Sequence, residues 1–177
     1  MRRAMRSSAT LSLFGSLGVL ALLGCGRHPS DVTLLERFTA NRAKFAQLVA
    51  MSDVDQRVIR IAKDFTRVEG GLVWPAGNSL QGISTERWAQ YRALFRQLGL
   101  ESGLYRGRLP DGTPVVVLVA SSLGIVNHGS SKGYAYSTGK ISPVFESLDN
   151  QAAVMGDNGH GAAFRAIGDG WYLEFDW

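Results

Sequence analysis

The sequence is poor in the residues that build disulfides and metal centres. It has a single cysteine, Cys25, among 177 residues, which excludes a disulfide within the chain. Its three histidines are His28, His128 and His160, and no two of them stand in a His-x-x-x-His pair that could begin a zinc site. We therefore expect neither a disulfide framework nor a structural metal, and we predict no cofactor.

Motifs of catalysis and nucleotide binding are also missing. The chain contains no phosphate-binding loop, no dinucleotide fingerprint and no Gly-x-Ser-x-Gly elbow. The side chains from which a site can still be drawn are Ser130 or Ser131, His128, Asp157, Asn158 and His160. Ser130 or Ser131 with His128 and Asp157 would have the composition of a nucleophilic triad. A serine-rich chain offers such combinations by chance, so this one is weak evidence of catalysis. A metal site built from Asp157, Asn158 and His160 would have too few strong ligands, which favours a solvent-exposed glycine-rich loop there.

The chain has no apolar run long enough to span a bilayer. Its N-terminal charge-free stretch, Leu11 to Leu23, has 13 residues, whereas a membrane helix needs about 20. It follows a basic segment that carries Arg2, Arg3 and Arg6, and this order is typical of a secretory signal. We therefore predict that residues 1–24 are a signal peptide.

The residues at the end of that stretch, Leu22-Leu23-Gly24-Cys25, resemble the bacterial lipobox. The resemblance implies that Cys25 is diacylated and becomes the first residue of a lipid-anchored protein, followed by a short tether over 25–30. The residue after the cysteine is Gly26, whereas an aspartate at that position favours retention in the inner membrane. We therefore expect the protein to be anchored in the outer membrane and to face the periplasm. The alternative is an ordinary signal cleaved elsewhere, with Cys25 as a free thiol.

Little net charge remains once the signal is removed. Three of the 19 basic residues lie in it, so the chain from Cys25 onward has 16 basic and 15 acidic residues and a net charge of +1. A nucleic-acid partner requires a clustered cationic footprint, and we therefore expect none.

Residues 31–177 are long enough for one globular domain. Ser30 or Asp31 can cap a helix to about Met51, and Ser84 can cap a second helix that ends before Gly99. Arg42 interrupts the apolar stripe of the first helix. It either extends to the edge of that stripe or reaches a carboxylate of the packed sheet. The stretch from Val58 to Phe65 is compatible with a short strand or a helical turn.

From Gly103 onward the apolar pattern has a period of two, which predicts strands. They run from Leu104 to Leu109, from Val115 to Ala120, and from Ile125 to Tyr136 after a turn at 122–124. A helical turn is expected near Pro143 to Leu148. The predicted fold is α+β, an antiparallel sheet of about five strands covered by helices from the N-terminal half.

The sequence predicts a type I′ turn at Asp169-Gly170, and this turn fixes the register of the last hairpin. That register pairs Arg165 with Glu174 on the solvent side. It places five side chains on the buried side, namely Phe164, Ala166, Trp171, Leu173 and Phe175.

Several stretches resemble a widespread group of small uncharacterised bacterial proteins, many of them exported. The stretches are FTANRAKF at Phe38–Phe45, STERWAQYRALFRQLGL from Ser84, SSKGYAYS at Ser130–Ser137, and GDGWYLEFDW at the end. They are spread over most of the chain after Cys25. The resemblance implies one domain, and it implies no activity.

We expect a lipid-anchored periplasmic binding or interaction protein without catalysis, for example an immunity-type inhibitor, with an envelope protein as its partner. Lys132, Tyr134 and Tyr136 are the predicted recognition surface, with Lys132 exposed, and Arg42 is added to it. Half-buried sheet tyrosines are the more ordinary interpretation of Tyr134 and Tyr136, and the recognition surface is the alternative to it. The alternative function is an envelope hydrolase acting on cell-wall or lipid substrates through His128 or His160.

Overall fold

The computed structural model describes residues 27–71, 79–109, 111–124, 129–156 and 159–177, and these form an α+β fold. The elements are α1 (Asp31–Val54), β1 (Val58–Ile61), β2 (Thr66–Val68), α2 (Thr85–Leu98), β3 (Gly103–Arg108), β4 (Pro114–Leu123), β5 (Ser130–Tyr136), α3 (Gln151–Met155), β6 (Ala162–Gly168) and β7 (Trp171–Asp176). The strands form one antiparallel sheet in the order β2-β1-β3-β4-β5-β7-β6. The predicted class is confirmed, but the described residues give seven strands, not about five.

Both long helices begin at the predicted caps. The Ser30 hydroxyl accepts a hydrogen bond from the Thr33 N–H, and Ser84 caps α2 in the same way. Gly99 ends α2 with a φ of 61°, a left-handed conformation that glycine adopts without steric cost. In α1 the backbone of Asn41 leaves the helical region, with a φ of −130°. The polar interruption of the apolar stripe therefore coincides with a kink.

The sheet buries side chains on both faces. The helix face, against which α1 and α2 pack, carries Leu118, Tyr134 and Leu173, all fully buried. The second face carries a smaller apolar cluster in which Val117 and Ala135 are buried. The partners in that cluster are Val115, Val119, Ile141 and Phe164, with Tyr105, Leu109, Ala162 and Tyr172 packed at its margin. One sheet thus supports two separate cores.

The last hairpin has the predicted turn but not the predicted register. Asp169 and Gly170 have φ values of 51° and 77°, as a type I′ turn requires. A bulge between Ala166 and Gly168 adds Ile167 to β6 without a partner. The pairs beyond it are Ala166 with Tyr172, Arg165 with Leu173, Phe164 with Glu174 and Ala163 with Phe175.

The bulge inverts the faces of β6, because a shift of one residue moves every side chain to the other side of a sheet. Arg165 therefore lies on the helix face and Glu174 on the second face, so the predicted pair between them is wrong. Phe164 also lies on the second face, where it is buried. The predicted burial of Trp171, Leu173 and Phe175 is confirmed, since they are at most 5% exposed. That of Ala166 is wrong, because the bulge leaves it exposed.

Two local predictions between β4 and β6 are wrong. The expected turn at 122–124 does not start at Ser122, because β4 continues to Leu123. The start of the strand expected from Ile125 lies outside the described residues, and β5 covers Ser130–Tyr136. No helical turn forms near Pro143, because the chain there pairs with the edge of β6: Phe145 N–H donates to Phe164 O at 2.7 Å. The helix starts at Gln151 instead. None of the described helices has the length and apolarity to cross a bilayer.

Candidate functional site at the N-terminal end of the domain

The chain is attached to the fold from its first described residues. His28 lies over two neighbouring strands: its Nδ1 is 2.7 Å from Ser121 Oγ on β4, and its Nε2 is 2.8 Å from Ser130 Oγ on β5. The ring also meets Phe175 edge-on, with centroids 5.6 Å apart. Of the expected tether over 25–30, the part from His28 onward therefore lies on the domain.

The surroundings of His28 favour a neutral ring. Burial lowers the pKa of His28, and the positive charge of Lys132 lowers it further. A neutral imidazole carries one N–H donor and one acceptor nitrogen, so one serine hydroxyl accepts from the ring and the other donates to it. Both ring nitrogens are therefore satisfied by protein groups.

Lys132 lies beneath this point and is 1% exposed, so the expectation of an exposed lysine is wrong. Its Nζ is 2.8 Å from Asp31 Oδ1 and 2.7 Å from Asp149 Oδ1. The physical reason is the alternation of β5, which places Lys132 on the same face as Tyr134. The first turn of α1 then covers both side chains.

Asp31 is equally buried, at 1% exposure. Besides Lys132, its carboxylate accepts hydrogen bonds from Leu148 N–H at 2.8 Å, Arg165 Nη1 at 3.0 Å and Ser147 Oγ at 3.1 Å. Burial alone would raise the pKa of Asp31. The hydrogen bonds from Lys132, Leu148 and Arg165 outweigh it and hold that pKa below its usual value.

The four charged side chains of this region, which we call the ionic cluster, are Asp31, Lys132, Asp149 and Arg165. Two carboxylates and two cations give the cluster no net formal charge. It joins the first turn of α1 to β5, to β6 and to the loop before α3. Every charge in it has an opposite partner, and this arrangement is typical of an ion-pair network that stabilises the packing of a helix on a sheet.

An open cleft of about 380 Å³ lies over the ionic cluster. Its lining is mostly polar and consists of Arg27, His28, Ser30, Lys132, Asp149 and Gln151. The lining contains both hydrogen-bond donors and acceptors, as suits a small polar ligand or the polar side chains of a partner protein. Sequence reasoning missed His28 here, and nothing near it in the sequence indicates its serine partners.

The remaining residues of the predicted recognition surface are dispersed. Tyr134 is fully buried, and its hydroxyl donates to Leu34 O at 3.1 Å. Tyr136 is partly exposed and packs on Trp171, with ring centroids 5.0 Å apart. Arg42 forms an ion pair with Asp169 in the turn of the last hairpin, which is the second of its two predicted alternatives. Only Tyr136 and Arg42 of the predicted four therefore reach solvent.

Most of the other predicted positions cannot be placed relative to this site. Cys25, His128, Asp157 and Asn158 lie outside the described residues. His160 is exposed. Across the described ranges no three His, Cys, Asp or Glu side chains are grouped as metal ligands would be.

A second buried acid lies on the other face of the sheet, where sequence reasoning placed an exposed one. Glu174 is 3% exposed, and its Oε1 accepts a hydrogen bond from the Tyr105 hydroxyl at 3.2 Å. Its Oε2 has no hydrogen-bond partner among the described residues. Burial, reinforced by the nearby negative charge of Asp176, raises the pKa of Glu174 to about 8.

Comparison with protein-family models, with curated proteins and with solved structures gave no match.

Proposed function

We propose that the protein is a lipid-anchored component of the cell envelope that binds another molecule and catalyses no reaction. The observation that supports this best is the position of His28, which is fixed to β4 and β5 only three residues after Cys25. An extended chain spans at most about 3.6 Å per residue, so the cleft lies within about 11 Å of the acylated residue. Gly26 favours the outer membrane, with the domain in the periplasm.

The ionic cluster supports a role without catalysis. A general base or nucleophile needs a free, activated group, whereas Lys132 and Asp31 are buried and form an ion pair with each other. His28 has a serine on each nitrogen. The cleft above them offers hydrogen-bonding groups, and its proposed occupant is part of an envelope protein. An immunity-type inhibitor is a specific form of this proposal.

The anchor is tested by labelling cells with radioactive palmitate. The wild-type chain should be labelled and fractionate with membranes, whereas Cys25→Ser should lose the label. Gly26→Asp is the matched control: it should keep the label and move towards the inner membrane. Label on the Cys25→Ser protein would contradict the proposed anchor.

The cleft is tested by photo-crosslinking in living cells. A photoreactive residue at Gln151, in the cleft lining, should give a discrete adduct with one envelope protein. The same residue at Gln97, on the exposed side of α2, is the control and should give none. Equal adducts from both positions, or none from Gln151, would contradict a binding cleft at this end.

The distance between His28 and Ser130 favours one second candidate, an envelope hydrolase. A serine hydroxyl 2.8 Å from an imidazole nitrogen is within reach for proton transfer. The other nitrogen, however, meets Ser121 where a triad would have a carboxylate. If the hydrolase alternative is right, cell-wall or lipid substrates should be cleaved by the wild type and by His160→Ala but not by His28→Ala.

A further inference from the structure

A basic groove lies beside the cleft, at the same end of the domain. It has a volume of about 520 Å³ and runs between the C-terminal end of α2 and the last residues of β4. Four cationic side chains line it, against one acid, Glu101. The cations are Arg27, Arg37, Lys63 and Arg96.

The positive charge of this groove is not neutralised within the described part of the chain. None of the four cations forms an ion pair there, in contrast to the ionic cluster. Arg37 Nη1 donates to Gly99 O at 3.2 Å, and Glu101 accepts from Ser122 N–H at 3.2 Å. Because the chain after the signal has a net charge of only +1, the groove is a local concentration of charge.

The groove also lies close to the predicted anchor, because few residues separate the two in the chain. Arg27 follows Cys25 by two residues, so its Cα lies at most about 7 Å from that of Cys25. Electrostatic attraction to a membrane extends about 8 Å at physiological salt. An acylated Cys25 would therefore hold Arg27, at the edge of the groove, within the electrostatic range of the bilayer surface.

We propose that this groove binds the phosphate headgroups of anionic phospholipids in the membrane that holds Cys25. The inference rests on the proposed lipid anchor. Three of its four cations are arginines, whose planar guanidinium groups match phosphate oxygens in pairs. Acyl chains would supply the attachment, and the groove would fix which side of the domain faces the bilayer.

The test measures co-sedimentation with vesicles, using a chain that starts at Gly26 and so needs no acylation. That chain contains every buried residue of the described fold. It should bind vesicles of phosphatidylcholine with phosphatidylglycerol at low salt and bind pure phosphatidylcholine far less. Each cation near an anionic surface contributes about a fivefold factor to binding. Arg27→Gln with Arg96→Gln should therefore weaken binding about thirtyfold.

The matched control removes the same charge elsewhere, with Arg57→Gln and Lys140→Gln at exposed positions outside the groove. It should reduce binding far less than the groove variant. Equal losses in both variants, equal binding to neutral vesicles, or binding of inorganic phosphate without binding of vesicles would each overturn the proposal. Because this chain lacks Cys25, its result is independent of palmitate labelling, so failure of the groove and failure of the anchor are distinguishable.

Discussion

The two faces of the sheet bury charge in opposite ways. On the helix face, Lys132 and Asp31 are both 1% exposed and lie 2.8 Å apart, with further partners on each. On the second face, Glu174 is 3% exposed, and its one hydrogen-bond partner among the described residues is the Tyr105 hydroxyl. The pKa of Asp31 is lowered and that of Glu174 is raised. Burial alone therefore does not decide ionisation; the groups that replace water do.

The contrast also has consequences for stability. A buried ion pair keeps its charge at neutral pH, and removing one partner takes away much of what offsets the burial of the other charge. A buried acid with one weak partner keeps its proton instead, and it opposes folding once the solution is basic enough to ionise the unfolded chain. The helix face should therefore be sensitive to loss of a partner, and the second face to rising pH.

The largest effect is expected from Lys132→Met. The variant leaves Asp31 and Asp149 without their shared cation, which should lower the free energy of unfolding by about 3–5 kcal/mol at pH 7. Denaturant midpoints measure the loss. Lys140→Met, at an exposed position, is the control and should change stability by less than about 0.5 kcal/mol.

The pH dependence of that loss sharpens the comparison. The folded pKa of Asp31 is lowered, so its contribution is present at neutral pH and disappears as the pH falls through that folded value. The difference between wild type and Lys132→Met should accordingly shrink in acid. A difference that stays constant down to pH 3 would mean that the ion pair is not its source.

Glu174→Gln should show the opposite dependence. The folded pKa of about 8 lies above the usual 4.5, so the folded wild type holds a proton that the unfolded chain loses. Wild-type stability should therefore fall by roughly 3 kcal/mol relative to the variant between pH 5 and pH 8. Glu146→Gln, which is exposed, provides the comparison and should follow the wild type. Parallel curves for all three proteins would show that Glu174 is ionised in the folded state.

The smallest effect is expected at the surface, from Arg42→Ala. Its ion pair with Asp169 joins side chains that are 50% and 80% exposed, and such pairs contribute less than about 1 kcal/mol. The guanidinium also lies 5.7 Å from the centre of the Phe38 ring, a contact of similar size. Denaturant midpoints at low and high salt separate the two. A decrease of more than about 2 kcal/mol in the free energy of unfolding would mean that Arg42 contributes as much as a buried charge does.

Local signals in the sequence were sufficient for the two long helices and for the last turn. Ser30, Ser84 and Gly99 act on backbone groups within a few residues, so their roles can be read without tertiary structure. Asp169-Gly170 likewise fixes its own turn. These predictions needed no knowledge of what packs against them.

The bulges and the buried charges could not be predicted in the same way. Ile167 looks like any strand residue, yet leaving it unpaired inverts β6 and brings Arg165 to Asp31. The alternation of β5 did contain a usable signal, since Lys132 shares a face with Tyr134. That alternation could not indicate which carboxylate pairs with Lys132. Asp31 is 101 residues away in the chain and reaches Lys132 only when α1 packs on the sheet.

The length of β4 sets how far the domain would extend from a bilayer. Ser121 and Ser122 lie at the end near His28, whereas Pro114 lies at the other end of this ten-residue strand. At about 3.3 Å per residue, the two ends are roughly 30 Å apart. The turn after β3 and the Asp169 turn both lie at the far end. If Cys25 is acylated as proposed and β4 stands upright on the membrane, these two turns would lie about one bilayer thickness above the lipid surface, on the side away from the lipid.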